Sequence, residues 1–215
     1  MSALVPPNEK QRLKVLWQYD VLDTIPEEVF DDLTELAARI CEAPIALITL
    51  VDEDRQWFKS KVGITDNETS RDISFCAHAI LQSDLFIVPD ATKDQRFAHN
   101  PLVTSDPKIR FYAGAPLFSP DGHALGTLCV IDKVPRELRP DQKIALRVLS
   151  RHVMTQLELR RRSRELARAR KERDQTQGDL AKARAELAKI RRHLRQHKTK
   201  PRTGKRRITL TKSRK

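Results

Sequence analysis

The stretch Ser74-Phe75-Cys76-Ala77-His78 places a thiol and an imidazole close together. Ser74 can cap a helix that begins at Phe75, which puts Cys76 in the first turn, where free amide N–H groups and the helix dipole favour a thiolate. A redox role through Cys76 is one chemistry this arrangement could support. The plainer alternative is a cysteine packed as a small apolar residue. Turnover by thiol chemistry also needs a resolving thiol within reach. Cys41 falls at a helix end and Cys129 in a buried strand, neither a loop position suited to that task. Three cysteines, widely spaced and with no CxxC pair, predict reduced thiols rather than a disulfide framework or a zinc cage. Cys76, His78, His99 and His123 do not make a metal set either, because residues two apart on a helix diverge and the other two lie in separate loops. His152 sits where a phosphoacceptor helix could begin, yet no acidic residue or Asn directly follows it. No catalytic residue, metal or identifiable cofactor is expected.

A binding site is the better expectation. Phe58, Phe97 and Tyr112 could wall an apolar pocket, with Cys76 and His78 beside them and Asp90 or Arg110 as a polar anchor, while Phe75 and Phe111 are expected to fill core. A second candidate surface is electrostatic. Residues 1–159 hold 18 basic and 24 acidic side chains, and residues 160–215 hold 23 basic and 5 acidic, so the two parts carry −6 and +18. The second part could meet nucleic acid, an anionic lipid surface or an acidic protein. Arg160, Arg161, Arg162, Arg191, Arg192, Lys205, Arg206 and Arg207 are its candidate polyanion contacts. No aromatic residue follows Phe118, so binding there would be to phosphates, without base stacking or sequence readout. No apolar anchor accompanies the charges, no stretch is long and apolar enough to span a bilayer, and the first ten residues lack a signal-peptide pattern, so a cytoplasmic location is expected.

The elements that must carry these groups can be read from periodicity. Residues 8–18 predict a short helix with Leu13, Leu16 and Trp17 on one face, and Phe30, Leu33, Leu36, Ala37 and Ile40 predict a second, capped by Thr24 and ended by Pro44. Ile45–Val51 reads as a buried strand, residues 56–62 as its hairpin partner up to Gly63, and 64–72 as a loop. A helix over 75–82 and a short strand over 86–88 follow, then a wrapping segment over 91–107 with at most one helical turn. Residues 109–117 and 124–131 form a second hairpin about Asp121-Gly122, with Gly126 inside the strand. Five strands and three helices in this order predict an α+β domain with an antiparallel sheet. From Pro140 the pattern is one long helix. Leu159, Leu166, Leu180, Leu187 and Leu194 recur every seventh residue apart from Arg173, with Ala169, Ala183 and Ile190 at partner positions, which predicts a basic coiled coil over 159–197. Gly178 weakens it, and 198–215, with Pro201, Gly204 and many cations, should be disordered.

Four phrases, Asp52-Glu53-Asp54-Arg55-Gln56-Trp57-Phe58-Lys59-Ser60, Arg71-Asp72-Ile73-Ser74-Phe75-Cys76-Ala77-His78-Ala79-Ile80, Phe111-Tyr112-Ala113-Gly114-Ala115-Pro116-Leu117 and Gly126-Thr127-Leu128-Cys129-Val130-Ile131-Asp132, together resemble a GAF domain. The resemblance is to the branch found in front of bacterial sensor kinases and cyclic-dinucleotide enzymes. It implies a six-stranded antiparallel sheet, first and last helices on one face, a small-molecule pocket on the other, and a domain over 1–158. It does not extend to the family's bilin sites, since Ala77 separates Cys76 from His78 and no Asp-Ile-Pro phrase occurs, nor to the cyclic-nucleotide signature ending in Phe-Asp-Glu. The function it implies is a non-enzymatic sensory or regulatory module, homodimeric through its coiled coil. The stretch behind the domain carries no output domain, so the signal is expected to reach a separate protein partner. The alternatives are a dimeric nucleic-acid-associated protein and a thiol redox sensor.

Overall fold

A computed structural model describes residues 5–198, in two compact units that meet at Arg164 and Glu165. In chain order the elements are α1 (Glu9–Gln18), α2 (Glu28–Cys41), β1 (Ile45–Val51), β2 (Arg55–Val62), β3 (Glu68–Ser70), α3 (Phe75–Ala79), β4 (Phe86–Val88), α4 (Pro101–Thr104), β5 (Phe111–Phe118), β6 (Ala124–Asp132) and α5 (Pro140–Lys198). The six strands form one sheet in the order β3-β2-β1-β6-β5-β4, with every neighbouring pair antiparallel. This is the α+β architecture expected. Residue patterns alone predict five strands, and the sixth, β3, lies within the stretch read as a loop. Glu68, Thr69 and Ser70 have no apolar side to bury, and the strand exists because it pairs with Arg55, Gln56 and Trp57 at the sheet edge.

The central strand β1 is buried along its whole length, because alternate side chains enter different cores. Ala46, Ile48 and Leu50 join Leu16, Phe30, Leu117, Leu146 and Val153, beneath α1, α2 and the first turns of α5. Ile45, Leu47 and Val51 join Phe75, Phe97, Tyr112 and Cys129, beneath α3 and α4. Gly126 is what lets β6 lie this close to β1, since a Cβ there would collide with the Thr49 carbonyl oxygen.

Helix ends follow local chemistry. Thr24 does not cap α2: its hydroxyl donates to the Val21 carbonyl at 2.7 Å, and the helix starts at Glu28. It stops at Glu42, whose left-handed conformation lets its N–H reach the Ala38 and Arg39 carbonyls. Trp17, expected on the buried face of α1, is 52% exposed and donates its indole N–H to Asp52. α3 ends at Ala79, three residues earlier than its periodicity implies, and turn hydrogen bonds continue to Gln82.

In the second unit α5 continues from Glu165 to Lys198, and Leu166, Leu180, Leu187, Ile190 and Leu194 are 50–60% exposed. No helix among the described residues is long and apolar enough to cross a membrane. Residues 199–215, which hold nearly all of the tail expected to be disordered and include Lys205, Arg206 and Arg207, lie outside the described residues.

Candidate functional site

Between the sheet and the α3–α4 side of the domain lies a cavity of about 460 Å³. Its floor is Ile45 and Leu47 of β1, Phe58 of β2, Tyr112 of β5 and Ile131 of β6, and its sides are Phe75 and Cys76 of α3 with Leu102 and Ile109. Gln56, Thr65, Asp66, Thr69, Asp106 and Lys133 supply polar groups. Of these, Thr69 holds a buried hydroxyl oxygen with no hydrogen-bond partner. Such a wall, mostly apolar with a few polar groups, suits a small organic ligand. Depressions beside Asp84–Arg147 and beside Lys59 gather ion-paired side chains instead.

Of the seven expected pocket residues, Phe58, Cys76 and Tyr112 line this cavity. Phe97 stacks on Phe75 at 4.0 Å between ring centroids and receives the His78 ring edge-on at 4.8 Å. Burial and then the Arg96 charge hold His78 below its ordinary value, with Asp94 opposing them. Asp90 closes a turn with Thr92 and Lys93, and Arg110 donates to the Val103 and Ile109 carbonyls at 2.9 and 3.0 Å. These four support the wall from behind or hold its loops. Ile131, Leu47 and Gln56, which sequence reasoning missed, were hidden by their strand periodicity, which reads as core whether or not a cavity adjoins it.

Ser74 caps α3 as expected, accepting from the Ala77 N–H at 3.1 Å, and its hydroxyl donates to the Gln56 side-chain oxygen. The helix therefore holds Cys76 against the sheet. There the structure corrects one expectation: Cys129, in its buried strand, is within reach, with the two sulfurs 3.8 Å apart. Cys76 Sγ also accepts from the Thr127 hydroxyl at 3.1 Å and from the Tyr112 hydroxyl at 3.2 Å, and Thr127 meets Thr49 at 3.2 Å. Burial opposes ionisation of Cys76, but the hydrogen bonds it accepts outweigh it and lower the thiol. Burial, together with the hydrogen bond and charge of Cys76, pushes Cys129 well up. Gly114 leaves the space that the Tyr112 hydroxyl fills. Among the described residues no group of three or more His, Cys, Asp or Glu side chains could hold a metal ion.

The candidate polyanion residues separate into two groups. Arg160 binds Glu27 at 2.8 Å and donates to the Tyr19 and Asp20 carbonyls, and Arg161 pairs with Glu158 at 3.0 Å and lies over the Tyr19 ring. Both are therefore committed within the first unit. Arg162, Arg191 and Arg192 are exposed.

Comparison with known proteins places these features in a family. The GAF domain model matches residues 26–157. A cyclic di-GMP phosphodiesterase of Pseudomonas aeruginosa is 43% identical over 141 residues, 66% of this chain and 24% of that protein, so this chain spans about a quarter of its relative. The GAF domain of an Acinetobacter phosphoenolpyruvate-protein phosphotransferase superposes with a TM-score of 0.53 at 15% identity, covering 72% of this chain and 95% of that one. The free methionine-R-sulfoxide reductase of Neisseria meningitidis, in complex with its substrate, gives 0.52 at 16% identity, covering 76% and 98%. At these identities the two solved structures speak for the fold alone. With the family match spanning more than half its length and the sheet, helices and cavity arranged as described, the chain belongs to the GAF domain family of sensory signalling modules.

Proposed function

We propose that this chain is a non-enzymatic regulatory module that binds a small organic molecule in the cavity between Phe58, Tyr112 and α3 and signals to a protein partner through a homodimeric helix. The cavity carries the reading: about 460 Å³ is lined by side chains of five strands and a capped helix, with polar groups at few positions. The relative's name adds a regulatory setting, since a segment 43% identical to this one occurs in a cyclic di-GMP phosphodiesterase. The exposed heptad leucines of α5 support dimerisation, as two such faces bury each other in a coiled coil.

The test uses the full chain with Ile131→Trp, which fills the cavity from the floor. A library of small metabolites is screened by thermal shift. The expected result is a compound that raises the wild-type melting temperature and binds the variant at least about tenfold more weakly, a loss of about 1.4 kcal/mol. Binding that is unchanged in Ile131→Trp, or a library with no stabilising compound, would remove the pocket reading.

A second reading, nucleic-acid association, draws on the charge split of −6 and +18 and on the exposed Arg162, Arg191 and Arg192.

A further inference from the structure

Neither the sensory reading nor the family match assigns a role to the paired thiols. Cys76 and Cys129 come from different elements, α3 and β6, and lie 53 residues apart in sequence, yet their sulfurs are 3.8 Å apart. All three cysteines are free. Cys41 belongs to the other core, on the opposite face of the sheet, and is outside this pair. Burial pushes the Cys41 thiol up to about 11, which leaves it a poor nucleophile.

Three observations combine at the pair. First, the two sulfurs at 3.8 Å need to close by only about 2 Å to reach the length of a disulfide. Secondly, the Cys76 sulfur accepts from two hydroxyls, Thr127 and Tyr112, and a hydrogen-bonded sulfur of this kind is favoured as thiolate over its neighbour. Thirdly, Cys76 forms part of the cavity wall and Cys129 does not, so a small molecule entering the cavity meets Cys76 first. These are the parts of a dithiol reaction centre: a buried attacking thiol, 1% exposed, on a residue of the cavity wall, a resolving thiol behind it, and donors that stabilise the charge.

We propose that Cys76 and Cys129 form a peroxide-reactive site, in which Cys76 is the attacking thiol and Cys129 the resolving one. The oxidant is hydrogen peroxide, small enough for the cavity. The Cys76 thiolate attacks one peroxide oxygen, the O–O bond breaks, and the departing oxygen leaves as water with the proton that Cys76 gave up. Cys76 is then a sulfenic acid. The Cys129 sulfur attacks the Cys76 sulfur, the S–O bond breaks, and the second oxygen leaves as water with the Cys129 proton. Two thiols lose two electrons and become a disulfide, while one peroxide becomes two waters. The site does not depend on any other ligand in the cavity.

The experiment treats the fully reduced, folded full chain with hydrogen peroxide, then unfolds it in excess alkylating agent and measures its intact mass. The expected product has one alkylated thiol, Cys41, and has lost two hydrogens, with a peptide map linking Cys76 to Cys129 and dithiothreitol restoring three reactive thiols. Cys129→Ser should stop at the sulfenic acid, trapped on Cys76 by dimedone, and Cys76→Ser should abolish the fast reaction. Circular dichroism checks that each variant is folded, and the wild-type result stands without them. Three alkylatable thiols after peroxide treatment, or a disulfide through Cys41, would overturn the assignment.

Discussion

Glu9 holds two guanidinium groups at once. Its carboxylate lies 2.7 Å from Arg12 and 2.6 Å from Arg71, whose side chains are 1% and 6% exposed. Arg71 also donates to the Asp52 and Glu53 carbonyls, but its Nε and second terminal nitrogen are buried without partners. Glu9 is thus a counter-charge to Arg71, and this pairing ties the first helix to the loop that leads into α3. Burial alone would raise Glu9, but hydrogen bonds from Arg12 and Arg71 and then their charges outweigh it and lower the carboxyl from its ordinary 4.5. A depressed carboxylate contributes stability that is present above the unfolded value and is lost as pH falls through the folded one. Glu9→Gln should cost about 3 kcal/mol in urea unfolding at pH 7, by leaving two buried charges unbalanced. Between pH 5 and 3 the wild type should lose stability more steeply than the variant. Parallel acid profiles would show that Glu9 is not the linked group.

Among the elements, what was legible in the sequence is what local chemistry decides. β1, β2, β5 and β6 have dense β-branched or apolar alternation closed by turn signals, and they form with their expected pairing. The same holds for the Ser74 cap. β3 was illegible because nothing in Glu-Thr-Ser prefers a strand without β2 beside it. The site was half legible for a related reason. Aromatic residues announce an apolar interior, but only the packing decides that Tyr112 faces the cavity while Phe97 stacks behind Phe75. The closeness of Cys76 and Cys129 depends on a helix lying across a strand 53 residues away, which no local spacing records. Gly126 was visible as an oddity inside a strand, and its reason is the Thr49 carbonyl that occupies the place of a side chain. Gly126→Ala must push β6 off β1 at the middle of the sheet. It should destabilise the domain by about 3 kcal/mol, at the upper end for overpacking, and lower the melting temperature by roughly 6 to 12 °C. A variant that melts with the wild type would mean that β6 can shift at no cost.

At the scale of the whole molecule the charge split and the heptad repeat make one argument. Residues 160–215 carry 23 basic and 5 acidic side chains. The leucines at 166, 180, 187 and 194 are exposed at seven-residue spacing or its double, so two chains that bury them against each other bring two such segments together. Arg173 within the seam weakens it without breaking the register. If that dimer forms, polyanion affinity becomes a property of the pair, since the second segment binds at high effective concentration once the first is engaged. Replacing Leu180 and Leu187 together with Asp removes two apolar residues per helix from the seam and places like charges opposite each other. In sedimentation equilibrium the wild type should be a dimer and the double variant a monomer. Fluorescence anisotropy with a short DNA duplex should then show affinity that falls linearly with the logarithm of salt concentration, at a slope of about −0.9 per phosphate contacted. The double variant should bind more weakly, with a shallower slope, by more than its two added negative charges per chain explain. The matched control, two Asp substitutions at exposed positions outside the seam, carries the same charge and stays dimeric. Equal weakening in both would mean that the segments act singly, and a monomeric wild type would remove the coiled coil from the mechanism.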